Sequence, residues 1–271
     1  MLEKIQETAD FLKKKMPTNP KIGIILGTGL GNLVTELTEK TEIWYETIPN
    51  FPVSTVEGHS GKLIFGKLGD VDVLAMQGRF HYYEGYDMKQ VTFPVRVMKE
   101  LGIETLLVSN ASGGVHPDFE IGDLMIITDH INCFPEHPLH GKNDNRLGTR
   151  FPDMSEAYCK KLISKAKDIA HENKIRVVEG VYVGVSGPTF ETPAEYKYFR
   201  IIGGDTVGMS TVPEVIVANH AGMKCFGISI ITDLGVEGKI VEISHEEVQE
   251  VGNKAQPIMT FIMKELVKKI S

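Results

Sequence analysis

Short apolar runs alternate with longer amphipathic stretches along the whole chain, the pattern of a layered α/β fold. The runs predict strands over 22–26, 63–68, 71–76, 105–109, 124–129, 177–185 and 225–231. Several lead straight into Gly, Ser, Thr or Asn, residues that let backbone approach a ligand at the C-terminal edge of a strand. Helix starts are spelled by capping boxes at Thr192-Pro193-Ala194-Glu195, Thr211-Val212-Pro213-Glu214 and Ser244-His245-Glu246-Glu247, the first with proline at its first helical position. After Ser244, apolar residues at Val248, Val251, Ala255, Ile258, Ile262, Leu266 and Ile270 recur in steps of three and four and predict one buried face. The closing helix is thus expected to pack on the body and fix His245 in its first turn. The stretch 134–151, rich in Pro, Gly, His and Asn, predicts one long loop, which in a compact domain is more often functional than idle. No repeat or low-complexity linker divides the chain, so residues 1–271 are expected to form one domain.

Composition narrows the classes. With 42% hydrophobic and 24% charged residues in 271, the chain is too apolar for disorder and long enough for a large core. Lys and Arg number 29 against 36 Asp and Glu, a net charge of −7 with no basic stripe, which argues against a nucleic-acid partner. Cys133, Cys159 and Cys225 are scattered without paired spacing, so neither a disulfide scaffold nor a metal site is expected. The first residues are charged from Glu3 onward, and no stretch approaches the roughly 18 uncharged residues of a membrane span, so the expected location is cytoplasmic.

Several clusters carry candidate chemistry. Gly27-Thr28-Gly29-Leu30-Gly31 follows the first predicted strand, and such small residues can aim backbone N–H groups and the Thr28 hydroxyl at an anion. A turn needing glycine for geometry alone reads equally well. A G-x-G-x-x-G dinucleotide turn would need glycine where Asn32 stands, although Glu46 falls about where a ribose-binding acid would sit, so a nicotinamide oxidoreductase stays open. In Gly78-Arg79-Phe80-His81-Tyr82-Tyr83-Glu84-Gly85, an extended backbone would put Arg79, His81 and Tyr83 on one face. A guanidinium, an imidazole and a phenol together suit an oxyanion joined to a polar organic group, against the plainer reading of a solvated edge strand. Asn110-Ala111-Ser112-Gly113-Gly114 offers exposed main-chain donors or a simple turn. Glu191 is either a site acid or one that the next helix N-terminus favours, and Ser210 precedes a helix start whose N–H groups suit an anion. Asp233 closes an almost wholly apolar run, as a cap or as a group with a shifted pKa.

Taken in order, Gly27-Thr28-Gly29-Leu30-Gly31, His59-Ser60-Gly61, Gly78-Arg79-Phe80-His81, Asn110-Ala111-Ser112-Gly113-Gly114, Phe190-Glu191, Gly208-Met209-Ser210-Thr211-Val212-Pro213-Glu214 and His245-Glu246-Glu247-Val248 closely resemble the trimeric purine nucleoside phosphorylases, from about residue 20 to the C-terminus. The Met209–Glu214 string is shared with the sister methylthioadenosine phosphorylases, whereas the Arg79 block and His245 resemble the nucleoside phosphorylase branch. The resemblance implies one α/β domain with a mixed, partly barrel-like central sheet flanked by helices, acting as a homotrimer in purine salvage. It implies reversible phosphorolysis of purine (deoxy)ribonucleosides to free base and (deoxy)ribose 1-phosphate, with inorganic phosphate as co-substrate and no metal or organic cofactor. Carried over by motif, Thr28, His59, Arg79, His81, the backbone at Ala111 and Ser210 would hold phosphate. Tyr83, Phe190, Met209 and His245 would surround the ribose, with Phe151 reaching in from a neighbouring subunit. Ser112, Glu191, Val207 and Asp233 would meet the base, and His81, Glu191 and Asp233 would take the catalytic roles.

One position departs from the pattern. The 6-oxopurine-specific members carry asparagine where this chain has Asp233, and the methylthioadenosine enzymes carry an acid there. An ionised Asp233 would accept from the 6-amino group of adenine, and a protonated one could donate to N7. Methylthioadenosine phosphorolysis, or a variant that accepts adenosine, is therefore the alternative, while His245 at the 5′ end suits a hydroxyl. A non-catalytic nucleoside-binding protein is the remaining competitor.

Overall fold

β1 (Ile22–Leu26) is buried at every position, as its unbroken apolar sequence requires, and lies parallel between β4 (Val71–Gln77) and β5 (Thr105–Gly114). The computed structural model describes residues 1–27, 31–53 and 61–271. Within them one mixed sheet runs in the order β2 (Leu37–Trp44), β3 (Lys62–Leu68), β4, β1, β5, β8 (Thr206–Gly208), β7 (Val177–Gly184), β6 (Leu124–Asn132) and β9 (Lys224–Leu234). β9 also pairs in parallel with β5, so β5, β8, β7, β6 and β9 close on themselves, and β1 to β4 form an open wing. This is the mixed, partly barrel-like sheet expected.

Around it lie α1 (Leu2–Lys13), α2 (Met88–Val91), α3 (Phe93–Glu100), α4 (Lys160–Glu172), α5 (Pro193–Ile201), α6 (Val212–His220) and α7 (His245–Ile270). α7 seals the barrel side with Met259, Ile262, Met263 and Leu266, all buried. A smaller cluster of Val115, Val183, Tyr196, Phe199 and Val207 packs α5 over β7 and β8. Among the described residues no helix is long and apolar enough to cross a membrane.

Four details differ from the sequence reading. β2 is absent from the predicted strands because its Lys and Glu residues mask the two-residue alternation; it is the outermost strand of the wing, where charge guards a free edge. β8 has three residues, too few for any periodicity. Asn110–Gly114 is no turn: β5 continues through it, paired with both β9 and β8. The buried face of α7 follows Val248, Gly252, Ala255, Met259, Ile262 and Leu266, turning Ile258 outward at 47% exposure beside Pro257, which removes one amide donor from the helix.

Candidate active site

A cavity of about 640 Å³ opens where the ends of β1, β4, β5, β8 and β9 converge. Arg79 leaves β4 and is 2% exposed at its floor. A buried guanidinium needs a counter-charge. Glu214 supplies it, with Oε1 3.2 Å from Arg79 Nε, while Nη1 donates to Ser210 Oγ at 2.8 Å. The Thr211–Glu214 capping box is therefore not formed: Glu214 serves Arg79, and Thr211 makes no side-chain cap. Instead Thr211 sits at φ 69 and ψ −53, with the Val212 N–H donating to the Ser210 carbonyl at 2.7 Å, a γ-turn that is strained for a β-branched residue. The turn is braced by Asn110 Nδ2, which donates to Thr211 Oγ1 at 2.8 Å.

Arg79, His81 and Tyr83 do all line the cavity, but not from an extended face. His81 caps a 3-10 turn over Tyr82–Glu84, in which its backbone N–H donates to Glu84 Oε1 at 2.7 Å and its Nδ1 lies 3.0 Å from the same oxygen. The turn stacks the His81 and Tyr83 rings, with centroids 4.7 Å apart and planes 13° from parallel. Burial pushes the His81 imidazole below the ordinary histidine range and the Tyr83 phenol up to about 12. Both therefore act as neutral hydrogen-bonding groups near neutral pH.

At the opposite end, β5 and β9 bring their C-terminal residues together. The Ser229 hydroxyl donates to Asn110 Oδ1 at 2.6 Å, so the 2.6 Å contact between Ser112 and Ser229 must be donated by Ser112, whose remaining lone pairs then face outward as acceptors. Asp233 is 7% exposed, accepting from Tyr196 Oη at 3.2 Å and from Thr232 Oγ1 at 2.9 Å. Glycine is required at Gly113, since a Cβ there would fall 2.8 Å from Asp233 Oδ2. Burial raises the Asp233 carboxyl above its ordinary value, against the two hydrogen bonds. Burial also drives Glu191 up to about 7, and the charge of Asp233 adds to the shift. Val207, Ala111 and Ser112 line the same cavity.

Phe190, Met209 and Tyr83 flank the middle, and His245 closes it from the first turn of α7. The Ser244 capping box is formed in full: the Glu247 N–H donates to Ser244 Oγ at 3.2 Å, and the Ser244 N–H donates to Glu247 Oε2 at 2.8 Å. The cavity thus gathers Arg79, His81, Ala111, Ser210, Tyr83, Phe190, Met209, His245, Ser112, Glu191, Val207 and Asp233 from the sequence reading. Phe151 stands apart, 85% exposed on a surface groove beside His137 and Arg150. Thr28 and His59 lie outside the described residues.

Four participants escaped the sequence reading: Glu84, Asn110, Tyr196 and Glu214. Glu84 had a signal, since a carboxylate three residues after His81 has capping-box spacing. The Asn110 side chain has no signal of its own beside the main-chain donors of its cluster. Tyr196 and Glu214 had no local signal; each is recruited by a residue more than thirty positions away.

A family model described as "Phosphorylase superfamily" matches residues 21–268. Purine nucleoside phosphorylase 1 of Geobacillus stearothermophilus is 55% identical over 267 residues, 98% of this chain and 97% of that protein. A crystal structure of Schistosoma mansoni purine nucleoside phosphorylase in complex with adenosine superposes with a TM-score of 0.95 at 41% identity, covering 100% of this chain and 98% of that one. A schistosoma purine nucleoside phosphorylase in complex with hypoxanthine superposes with a TM-score of 0.94, also at 41% identity, covering 100% and 98%. These matches replace the nicotinamide oxidoreductase and the non-catalytic binding protein. The chain belongs to the phosphorylase superfamily and, within it, to the purine nucleoside phosphorylases.

Proposed function

We propose that residues 1–271 act as one domain catalysing reversible phosphorolysis of purine nucleosides, with each part of the cavity assigned to one part of the reaction. The observation that carries this reading is the polarity of the cavity, with the Arg79 guanidinium and the Ser210 hydroxyl as hydrogen-bond donors on its floor and a pair of carboxyl groups, Glu191 and Asp233, at the ends of β5 and β9. Hydrogen phosphate would sit against Arg79, His81, Ser210 and the Ala111 backbone. Ser210 Oγ accepts from Arg79 and would turn its own hydrogen to the anion in preference to Thr211 Oγ1, 3.1 Å away. With Nδ1–H directed at Glu84, His81 would present Nε2 to the hydroxyl hydrogen of hydrogen phosphate. The ribose would lie over Met209 and under Phe190, with its 5′-hydroxyl at His245.

Cleavage of the ribosyl bond builds positive charge on the sugar and negative charge on the departing purine. The phosphate dianion beneath the sugar stabilises the first, and a proton or hydrogen bond delivered from Glu191 or Asp233 stabilises the second. Positioning of phosphate and sugar supplies several kcal/mol more by removing translational freedom before the chemical step. Phosphate is the co-substrate, and no metal or organic cofactor takes part. The methylthioadenosine reading gains no support from the matched relatives, which carry the nucleoside phosphorylase name. We further assign the chain to cytoplasmic purine salvage as a homotrimer, with Phe151 completing a neighbour's ribose pocket.

Release of free base from inosine, guanosine and adenosine with and without phosphate tests the function. Cleavage should require phosphate and survive a chelator. Arg79→Ala should raise the phosphate KM sharply; Ser210→Ala, which leaves the Arg79–Glu214 pair in place, should raise it more modestly. Equal turnover in phosphate-free buffer would overturn the reading.

A further inference from the structure

A chain of hydrogen bonds runs along the cavity wall from Ser112 to Ser210, and its donors fix its direction. Ser112 donates to Ser229 at 2.6 Å, and Ser229 donates to Asn110 Oδ1 at 2.6 Å. With Oδ1 held on that donor, Asn110 Nδ2 donates to Thr211 Oγ1 at 2.8 Å. Arg79 Nη1 makes a second, longer contact to the same oxygen at 3.4 Å. A hydroxyl oxygen has two acceptor positions, so Thr211 Oγ1 is filled and does not also accept from Ser210, 3.1 Å away. That bond is therefore donated by Thr211. Ser210 Oγ accepts from Thr211 and, at 2.8 Å, from Arg79 Nη1, and its own hydrogen is left for the cavity.

We propose that the Asn110 side chain is the positioning residue that sets the direction of the Ser210 hydroxyl, by occupying the Thr211 oxygen that would otherwise take the Ser210 hydrogen. The assignment rests on the proposed function and deepens it, because the hydrogen so released is the one offered to phosphate.

The backbone holds Thr211 where this competition arises. At φ 69 and ψ −53 it keeps Oγ1 within reach of Asn110, Arg79 and Ser210 together, a conformation that a β-branched residue adopts only when its surroundings impose it. The opposite direction of the chain is the competing state. With the Asn110 amide turned over, Oδ1 would accept from Thr211, and Thr211 would accept from Ser210, which withdraws the Ser210 hydrogen from the anion. Ser229 opposes that state, since the turned amide would meet its hydroxyl with an N–H and require Ser229 and Ser112 to reverse as well. Ser229 is fully buried, so its influence on phosphate passes through Asn110.

Inorganic phosphate titrated calorimetrically into the ligand-free protein reads the Ser210 donor without the nucleoside. Asn110→Ala should raise the phosphate Kd about tenfold, because Ser210 then gives its hydrogen to the vacated Thr211 oxygen. Thr211→Val keeps the β-branched shape, removes that oxygen, and by itself should cost no more than about twofold. Asn110→Ala combined with Thr211→Val should return the Kd to within about threefold of the wild type, whereas in a merely structural network a second substitution weakens binding further. Ser229→Ala is a smaller change that keeps the fold testable should Asn110→Ala not fold. It should raise the phosphate Kd about threefold, retain kcat at saturating phosphate, and be rescued by Thr211→Val in the same way. A wild type that binds no phosphate would overturn the proposed function together with this role of Asn110. A wild type that binds phosphate, beside double variants no tighter than Asn110→Ala or Ser229→Ala alone, would overturn the role of Asn110 and leave the function standing. The same holds if Ser229→Ala binds phosphate as tightly as the wild type.

Discussion

An acid buried in a cavity wall is harder to ionise than the same acid in an unfolded chain, and Glu191 shows the consequence at the scale of one residue. Its carboxyl is driven from 4.5 up to about 7 by burial, with Asp233 adding to the shift. Between those values the folded protein binds more protons than the unfolded chain, so stability falls as pH rises through the interval and the loss is complete above about 7. Glu191→Gln cannot ionise and should escape that loss. Its thermal unfolding should match the wild type near pH 4 and exceed it near pH 8, by on the order of 1–3 kcal/mol. Equal unfolding curves at both pH values would show that the Glu191 site is better solvated than its geometry implies. The same cost marks the cavity as a candidate site, because shifted carboxylates cluster where a ligand uses them.

Elements explain why two capping boxes with similar spelling reach different outcomes. Ser244-His245-Glu246-Glu247 closes on itself because Glu247 lies at the surface and nothing else competes for it. Thr211-Val212-Pro213-Glu214 does not, because Glu214 is drawn to the buried cation of Arg79, a stronger claim than a backbone N–H. The intact box fixes His245 at the mouth of the cavity. His245→Ala should therefore penalise inosine more than 5′-deoxyinosine, by about 1–2 kcal/mol in kcat/KM for one lost hydrogen bond. Equal losses on both nucleosides would make His245 a packing residue of α7. A further control is Ser244→Ala, which should cost about 1 kcal/mol of helix stability and reproduce part of the effect without touching the imidazole.

For the whole molecule, closing five strands into a barrel directs the ends of β5, β8 and β9 into one cavity, while the open wing delivers Arg79 and His81 from β4. Residues more than a hundred positions apart meet there, as Arg79 and Ser210 do. Phe151 is the exception, 85% exposed and facing a separate groove lined by His130, Leu139 and Met154. An aromatic ring so exposed costs solvation free energy unless another surface covers it. If a neighbouring subunit does so, Phe151→Ala should raise the nucleoside KM several-fold while leaving the phosphate KM unchanged, with sedimentation still reporting a trimer of 30.1 kDa chains. A monomer at working concentration, or an unchanged nucleoside KM, would remove Phe151 from the site.

The chain's local patterns were enough for the layered α/β class, seven of the strands and the full N-terminal caps of α5 and α7, because each depends on residues within a few positions of one another. They also pointed to the polar groups of the cavity, since Arg79, His81, Ser210, Glu191 and Asp233 each follow an apolar run or precede a helix start. Tertiary structure alone decided which polar groups face one another. The pairing of Glu214 with Arg79, the bend of Thr211 into a γ-turn and the hydrogen bond from the Tyr196 phenol to Asp233 depend on groups far apart in sequence. β2 and β8 likewise became strands through their neighbours, the one charged along a free edge and the other too short to show a period. Burial is what gives these contacts their force: a charge or hydroxyl removed from water must take whatever partner the fold provides, and periodicity along one chain carries no record of that partner.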